Sequence, residues 1–504
     1  MLATILSRAQ FGMEAPQVCV EVHLGAGLPT LSIVGLPEAV VKESKDRVRS
    51  ALATANFEFP AGRITVNLAP ADLPKEGGRF DLPIALGVLV ASEQIPPGAL
   101  DKCEFYGELS LSGELRPVRG VLPAVCQAAR QSHRVVLPRA NLEEAALVRD
   151  ARIAPAGHLL EVCAHVAGTT PLTFAAASEQ ACTQTQLGYS DLSDVRGQAH
   201  ARRALEIAAA GAHSLLFSGP PGTGKSMLAH RLPGILPPMT EFEALETATV
   251  ASISAGGFKV RDWGRRPFRA PHHTASTLAL VGGGAHPRPG EISLAHNGVL
   301  FLDELPEFTH RVLEALREPL ETGTVTISRA ARQSEFPARF QLVAAMNPCP
   351  CGFLGDRDGR CRCTESQVQR YRARISGPLL DRIDLHVEMP RPDTATFRAA
   401  AASDSTAAVA ARVARARAMQ AARGVTINAR LPVRELQTHC ALQRAAEQLL
   451  ARAVSKLHLS ARAHHRILRV ARTIADLGQS ESILEQHLAE AIQLRRAEQA
   501  RESS

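Results

Sequence analysis

The sequence predicts an α/β protein in three parts: an α/β N-terminal domain, a central domain on a parallel sheet, and a helical C-terminal domain. Residues 1–172 mix short β-branched runs with helical stretches, as α/β domains do. Residues 188–394 alternate helices with short apolar strands, which is typical of a parallel sheet. In residues 395–504, apolar side chains recur at three- and four-residue spacing, for example over Ala461–Leu477. Residues 173–187 are small and polar, so they are predicted to be a linker.

The composition limits the class of protein. The chain has 504 residues, and 57 Lys and Arg stand against 50 Asp and Glu, so the formal net charge is +7. This mild excess favours a polyanionic partner without requiring one, because the alanine- and arginine-rich composition also accounts for it. No apolar run of about 18 residues occurs, so no membrane span is expected. The N-terminus lacks the pattern of a signal peptide, and a cytoplasmic location is expected.

A complete G-x-x-x-x-G-K-S motif predicts a phosphate-binding loop. Its members are Gly219, Pro220, Pro221, Gly222, Thr223, Gly224, Lys225 and Ser226. The motif follows the apolar run Leu215–Phe217 and precedes the helix-compatible stretch Met227–Leu232, which is the context that it needs. Lys225 is expected to reach the β- and γ-phosphates of a nucleoside triphosphate, and Ser226 to ligate Mg²⁺.

Polar residues follow two further apolar runs. Val299–Leu302 is a predicted buried strand, and Asp303 and Glu304 come directly after it, where α/β sheets place ligands. Asp303 is expected to hold Mg²⁺, and Glu304 to polarise the water that attacks the γ-phosphate. Phe340–Met346 is a second predicted strand, and Asn347 after it is a candidate for contact with the γ-phosphate or the water. The alternative for Asn347 is an asparagine that begins a turn before proline.

Arg382 is the candidate for an arginine finger. It lies in the segment G-P-L-L-D-R-I-D, where its guanidinium would neutralise charge on the phosphate during transfer. In ring-forming ATPases this group comes from the neighbouring subunit, so the interpretation implies an oligomer. The alternative is a surface salt bridge of Arg382 with Asp381 or Asp384.

Four of the ten cysteines are closely spaced and suggest a metal site. They are Cys349, Cys351, Cys361 and Cys363, in the pattern C-x-C-x9-C-x-C. Two close pairs in a reducing compartment are typical of a tetrahedral Cys₄ zinc site, although one residue between the members of each pair departs from the usual two. The alternative is a set of free thiols on a surface loop.

Two longer segments carry a resemblance to a known family. They read R-P-F-R-A-P-H-H at Arg266–His273 and G-E-I-S-L-A-H-N-G at Gly290–Gly298. With the phosphate loop and the acid pair, they resemble the magnesium-chelatase-like branch of the AAA+ ATPases, and the whole chain resembles the ComM/YifB competence proteins. The resemblance implies a Lon-protease-like (ribosomal S5-like) α/β N-terminal domain, a central AAA+ ATPase domain with a phosphate loop on a parallel sheet, and a C-terminal α-helical lid.

The resemblance also implies an activity and partners. Proteins of this kind are expected to use ATP and Mg²⁺, to assemble into homo-oligomeric rings, expected to be hexamers, and to act on single-stranded and branched DNA. The implied role is a helicase that promotes branch migration of recombination intermediates in natural transformation. The alternative is a chelatase subunit that drives metal insertion into a tetrapyrrole, since that subunit shares both segments. The N-terminal domain and the cysteine cluster, which the chelatase motor subunit lacks, count against this alternative.

The resemblance further assigns arginines to DNA and to phosphate. It implies a hairpin inserted within the second ATPase helix, and a second hairpin is predicted at Thr324–Arg329, paired with the strand that leads to Asn347. Arg329 and Arg332 at its tip are candidates for contact with DNA phosphates, the alternative being a solvated tip. In the lid, Arg462 is assigned to the γ-phosphate. Arg466 is the alternative, because four-residue spacing places both on one helix stripe.

The N-terminal domain lacks the residues of a Lon-type peptidase. In the segments that resemble those around the serine and lysine of Lon proteases, Arg79 and Leu122 occupy the two positions. A Ser–Lys mechanism needs a hydroxyl and an amine within hydrogen-bond reach, and neither of these two positions supplies one. A Lon-like protease is therefore disfavoured. A scaffold that only binds ATP is poorly motivated, because both acids and a finger candidate are present.

Overall fold

The structure is a computed structural model. The chain folds into two compact units. The described residues are 1–98, 100–174, 189–284, 287–329, 332–355, 359–391, 404–425, 427–457 and 459–496, without the side chains of Arg329, Arg332 and Arg496. The first unit comprises Met1–Thr185, Glu241–Trp263 and Ser328–Phe336, and the second comprises Gln186–Thr240, Gly264–Ile327 and Pro337–Ser504. Most of the predicted linker, from residue 175 onward, lies outside the described residues, and the boundaries predicted from sequence stay predictions.

A mixed seven-stranded sheet is the centre of the first unit. Its strands are β1 (Leu2–Arg8), β2 (Gln17–Gly25), β3 (Thr30–Val34), β4 (Arg63–Ala69), β5 (Cys103–Phe105), β8 (Arg134–Pro138) and β9 (Arg152–Ala156), while β6 (Glu108–Leu109) and β7 (Leu115–Arg116) form a separate ribbon. The helices are α1 (Ala39–Lys42), α2 (Ser44–Thr54), α3 (Asp81–Ala91), α4 (Val121–Arg130), α5 (Leu142–Ala145) and α6 (Leu159–Val166). The strand order is β3-β4-β2-β1-β5-β8-β9. Arg79 and Leu122 are both buried in this unit, and Arg79 Nη2 donates to Gln10 Oε1 at 3.2 Å.

The remaining elements follow in chain order. The strands are β10 (Leu215–Ser218), β11 (Phe268–Arg269), β12 (Gly282–Gly283), β13 (Arg288–Pro289), β14 (Val299–Leu302), β15 (Thr324–Arg329), β16 (Arg332–Pro337), β17 (Gln341–Met346) and β18 (Leu385–Glu388). The helices are α7 (Ala199–Gly211), α8 (Lys225–Ile235), α9 (Glu241–Ser252), α10 (Thr277–Val281), α11 (Glu291–Leu294), α12 (His310–Glu314), α13 (Arg317–Thr322), α14 (Glu365–Arg372), α15 (Gly377–Leu380), α16 (Thr406–Ala422), α17 (Leu436–His439), α18 (Arg444–Lys456), α19 (Ala461–Leu477) and α20 (Glu485–Arg496). Among these, α9 and the segment Ser328–Phe336, which includes most of β16, belong to the first unit.

A five-stranded parallel sheet organises the second unit. Its order is β11-β14-β17-β10-β18, and every neighbouring pair is parallel. All residues of β14 and β17 are buried, as expected for strands covered on both faces. The carboxyl ends of β14, β17 and β10 therefore lie side by side at one edge of the sheet. This arrangement confirms the predicted α/β fold class with a parallel sheet.

The described residues from Thr406 onward are mainly helical and contain α16 to α20. The periodic stretch Ala461–Leu477 forms α19 with the bounds predicted from its spacing. Ser460 caps this helix, since its Oγ accepts a hydrogen bond from Ala463 N at 3.2 Å. The face of α19 that bears Arg472 points inward, because Arg472 is 2% exposed and pairs with Asp476 at 3.0 Å. Among the described helices, none is both long and apolar enough to cross a membrane.

The two predicted hairpins have different outcomes. A short antiparallel pair, β12 with β13, does lie between α10 and α11, as the resemblance implies. The prediction that Thr324–Arg329 pairs with the strand leading to Asn347 is wrong, because β15 pairs with β16. Pro337, which has no backbone N–H to donate, ends β16, and the chain then enters the buried strand β17 of the parallel sheet.

Candidate phosphate-binding site and arginine pocket

The phosphate loop joins β10 to α8, and its glycines are required by its geometry. Gly222 and Gly224 have φ angles of 79° and 90°, in the left-handed region that favours glycine. A Cβ on Gly219 would lie 2.3 Å from the Met389 carbonyl oxygen, so a larger residue does not fit there. The loop ends at Lys225, where α8 begins and its free backbone N–H groups can face an anion.

Lys225 connects the loop to the end of β17. Its side chain is buried, and Nζ donates to the carbonyl oxygens of Gly219 at 2.7 Å and Pro220 at 2.9 Å. A third hydrogen bond runs to Asn347 Oδ1 at 3.2 Å. Burial lowers the pKa of Lys225, although two nearby acidic side chains oppose the shift. Asn347 therefore contacts the phosphate loop directly, as a residue in contact with the γ-phosphate would.

The acid pair lies beside the loop at the carboxyl end of β14. Ser226 Oγ donates to Asp303 Oδ2 at 2.6 Å, so the two predicted Mg²⁺ ligands are already in contact. The backbone N–H of Glu304 donates to Asp303 Oδ1 at 2.9 Å. Glu304 has a φ of 53°, a left-handed conformation that is costly for a residue other than glycine and is often found at functional sites.

His273 contacts Glu304, and the sequence did not assign it a role. Its Nδ1 lies 3.1 Å from Glu304 Oε2. The segment that carries His273 is tied to the second family segment by a bidentate pair, in which Arg269 donates to both Glu291 oxygens at 2.6 and 2.7 Å. The two segments that carry the family resemblance thus lie together, and one of them reaches the acid pair. The position of His273 within that segment was the only signal in the sequence.

Arg382 is buried and pairs with a residue that the sequence did not suggest. Its side chain is 6% exposed, and Nη2 lies 2.6 Å from Glu321 Oε1. The two partners considered from sequence are paired elsewhere. Asp381 is paired with Arg495, and Asp384 is paired with Arg466 and His213. No sequence pattern pointed to Glu321, which lies in α13.

The two arginine candidates of α19 differ in how they are held. Arg466 Nη1 is ion-paired with the buried carboxylate of Asp384, which His213 Nδ1 also contacts at 3.2 Å. Burial favours the neutral acid, but the charges of Arg466 and His213 hold the pKa of Asp384 well below its usual value. Arg462 is 63% exposed, and its nearest carboxylate oxygen is that of Glu321, at 3.7 Å. Arg462 is therefore the freer of the two.

These arginines line one cavity of about 400 Å³, here called the arginine pocket. Its lining arginines are Arg339, Arg382, Arg430, Arg462, Arg466 and Arg469. Ser214 and Asp384 also line it, and they come directly before β10 and β18. The arginine pocket thus lies at the amino end of the parallel sheet, whereas the phosphate loop leaves its carboxyl end. The four-residue strand β10 separates the two by about 13 Å, at about 3.3 Å per residue.

The two remaining predicted sites are the cysteine cluster and the hairpin arginines. The structure brings the four cysteines together, with all four Sγ atoms within 4.8 Å of one another. Arg329 and Arg332 lie at the adjoining ends of β15 and β16, so they do flank a hairpin tip. Their side chains and the residues between them lie outside the described part of the chain, and their contact with DNA stays a prediction.

Known families and relatives match this chain over nearly its whole length. The family profile described as magnesium chelatase, subunit ChlI, matches residues 191–397, and related ChlI profiles match residues 20–141 and 403–495. Competence protein ComM of Haemophilus influenzae is 52% identical over 97% of each chain. The uncharacterized proteins YifB of Escherichia coli and Rv2897c of Mycobacterium tuberculosis are 48% and 43% identical, over at least 94% of each chain. The chain therefore belongs to the ComM/YifB family of magnesium-chelatase-like AAA+ ATPases, which act on ATP with Mg²⁺.

Proposed function

We propose that the protein is a ring-forming, ATP-driven DNA helicase of the cytoplasm that promotes branch migration of recombination intermediates in natural transformation. The ATPase activity follows from family membership. The DNA role is supported by the name of the Haemophilus relative, a competence protein, and by the net charge of +7. A hairpin flanked by Arg329 and Arg332 is a further support, because arginines at a pore would contact the phosphates of a strand without reading its bases.

Each residue of the phosphate site has a role in this proposal. Lys225 binds the β- and γ-phosphates, while Ser226 and Asp303 hold Mg²⁺, which neutralises charge on the phosphates. Glu304 orients and polarises the water that attacks the γ-phosphorus. Asn347, already hydrogen-bonded to Lys225, orients the γ-phosphate or that water. The backbone of residues 219–224 wraps the phosphates with its N–H groups.

One observation carries the proposal of a ring: the arginine pocket and the phosphate loop lie at opposite ends of the same strand. Arg382 and Arg462 therefore cannot serve the phosphate of their own chain without a large rearrangement. A neighbouring copy that presents its arginine pocket to this phosphate loop completes the site, so hydrolysis requires assembly. We assign Arg462 rather than Arg466 to the γ-phosphate, because Arg466 is committed to Asp384. A hexamer is the expected ring.

The test is ATP turnover by the full chain in four conditions: alone, with single-stranded DNA, with a four-way junction, and with a porphyrin chelatase mixture. We expect stimulation by both DNAs and ATP-dependent unwinding of the junction, with Lys225→Ala as the inactive control. Turnover that is indifferent to every DNA would refute the DNA motor.

The hairpin arginines can be tested by the salt dependence of DNA binding. Loss of two phosphate contacts should weaken binding to all sequences alike and reduce the slope of log affinity against log salt by about 1.8 on duplex DNA. The variant is Arg329→Ala with Arg332→Ala. Arg434→Ala is the matched control, because that side chain is 83% exposed and pairs with its neighbour Glu435. An unchanged slope in the double variant would remove both residues from the proposal.

A chelatase subunit is the second candidate, because the matching family profiles are described by that subunit. It predicts ATP turnover that responds to the chelatase mixture and ignores DNA. The proposal also includes a structural zinc ion at Cys349, Cys351, Cys361 and Cys363, which neither candidate function requires.

A further inference from the structure

The four cysteine sulfurs are spaced like the corners of a metal-centred tetrahedron. Cys349 Sγ lies 3.4 Å from Cys351 Sγ and 3.7 Å from Cys361 Sγ, and Cys351 Sγ lies 3.6 Å from Cys361 Sγ. Four thiolates at about 2.3 Å from a central zinc ion would be about 3.8 Å apart. The separations among these three sulfurs are close to that edge, and Cys363 Sγ lies within 4.8 Å of them. The three separations are far longer than a disulfide bond of about 2.05 Å. The cluster therefore has the dimensions of a Cys₄ zinc site.

The cysteine loop is attached to the nucleotide site at both ends. Cys349 follows Asn347 by two residues, and Asn347 accepts the hydrogen bond from Lys225. After Cys363, Thr364 caps α14 with a capping box, and Arg372 near the end of that helix donates to the Pro348 carbonyl oxygen at 3.4 Å. The end of α14 therefore returns to Pro348, the residue between Asn347 and Cys349.

Gly352, near the start of the cysteine loop, lies against the phosphate loop itself. Gly352 has a φ of 83°, and a Cβ built on it would lie 2.8 Å from Pro221 Cδ and 3.8 Å from Asn347 Cγ. Only glycine fits this close approach without moving the phosphate loop. The position of Gly352 is fixed by its N–H, which donates to the Cys349 carbonyl oxygen at 2.9 Å.

We propose that the four cysteines bind one zinc ion and that the zinc-loaded loop braces the phosphate loop and Asn347, so that tight ATP binding depends on the metal. The ion crosslinks Cys349 and Cys351 to Cys361 and Cys363 and thereby fixes Gly352 against Pro221. Loss of the ion, by chelation or by oxidation of the thiols, frees Gly352 and lets Asn347 move away from Lys225. The inference concerns the ATP site and does not depend on whether DNA is the substrate.

The first measurement is metal content. Full-length protein, purified in reducing buffer without added metal, should contain about one zinc per chain and no iron by mass spectrometry. The double variant Cys361→Ser with Cys363→Ser should contain none. Cys19→Ala is the matched control, since Cys19 is a half-buried cysteine of β2 in the other unit, and it should keep the zinc. Protein without zinc, or with iron, would overturn the proposal.

The second measurement is nucleotide affinity, by titration with a fluorescent ATP analogue in the absence of DNA. The zinc-free double variant should bind about tenfold more weakly, the loss expected when one charged hydrogen bond is misplaced. Gly352→Ala should keep its zinc and lose affinity to a similar extent, because the added Cβ displaces Pro221. Cys19→Ala should bind like the parent chain, and circular dichroism checks that every variant is folded. Parental affinity in either the zinc-free variant or Gly352→Ala would refute the brace.

Discussion

If the arginine pocket serves the phosphate of a neighbouring copy, two inactive variants should restore activity when they are mixed. In Arg382→Ala, each chain keeps its phosphate loop and acid pair but offers no finger. In Glu304→Gln, each chain keeps the finger and binds ATP but cannot polarise the water. Alone, each variant should lose about a thousandfold or more of its ATP turnover, the magnitude typical of these groups.

The geometry determines how much activity the mixture regains. Arg382 comes shortly before β18, at the amino end of the sheet, while Glu304 lies beyond the carboxyl end of β14. In rings assembled at random from equal amounts, half of the chains have the acid and half of their neighbours have the arginine. About a quarter of the sites are then complete, whatever the size of the ring. If Arg382 served its own chain, no site in the mixture would be complete.

The assay is phosphate release at saturating ATP after the separately tagged variants have been mixed without nucleotide and allowed to exchange subunits. Co-purification through one tag establishes that the rings are mixed. For sites that act independently, the rate should reach about a quarter of the parental rate at equal amounts and follow the product of the two fractions at other ratios. A mixed ring that is no faster than its two components would refute action between copies.

Three single variants make further predictions. Lys225→Ala should abolish tight ATP binding, measured with a fluorescent analogue, because Lys225 is the positively charged side chain of the phosphate loop and is expected to reach the β- and γ-phosphates. Glu321→Gln should raise ATP turnover by at most about fivefold, because this 45% exposed carboxylate restrains Arg382 only weakly. The control is Glu318→Gln, an exposed residue of the same helix, which should leave turnover unchanged. Asp384→Asn should lower the free energy of unfolding by about 1.5–3 kcal/mol, since it leaves the half-buried Arg466 without its counter-charge. The depressed pKa of Asp384 makes its contribution complete above about pH 4 and lost as pH falls further, so denaturant unfolding at pH 3 should show a smaller difference than at pH 7.

The sequence predicted the half of the site that lies at strand ends, for a physical reason. A short apolar run must become a buried strand, and polar residues directly after it emerge at the carboxyl edge of a parallel sheet. This local rule placed the phosphate loop after β10, Asp303 and Glu304 after β14, and Asn347 after β17. The four cysteines were also found by spacing, because they lie close together in the chain.

The rest of the candidate site depends on contacts between residues far apart in the sequence, which no local pattern encodes. Glu321 and Arg382 are far apart in sequence, and no local pattern pairs them until α13 and the segment before β18 are brought together. Arg462 and Arg466 share one helix stripe, so periodicity could not separate them, whereas burial against Asp384 does. The wrong partner for β15 has the same origin, because strand pairing is a contact between segments, and the predicted partner β17 instead pairs with β14 and β10 in the parallel sheet.

The network around Asp384 explains how two arginines from different elements can act together. Asp384 precedes β18 and binds Arg466 of α19, while His213 before β10 joins the same carboxylate at 3.2 Å and donates to or accepts from Thr473 Oγ1 of α19 at 2.8 Å. This buried network fixes α19 to the amino end of the sheet. Arg462 lies one turn before Arg466 on the same helix, and it shares the Glu321 carboxylate with Arg382. In the proposed ring, the phosphate of a neighbouring copy would therefore meet two arginines, one from the helical segment and one from the segment before β18.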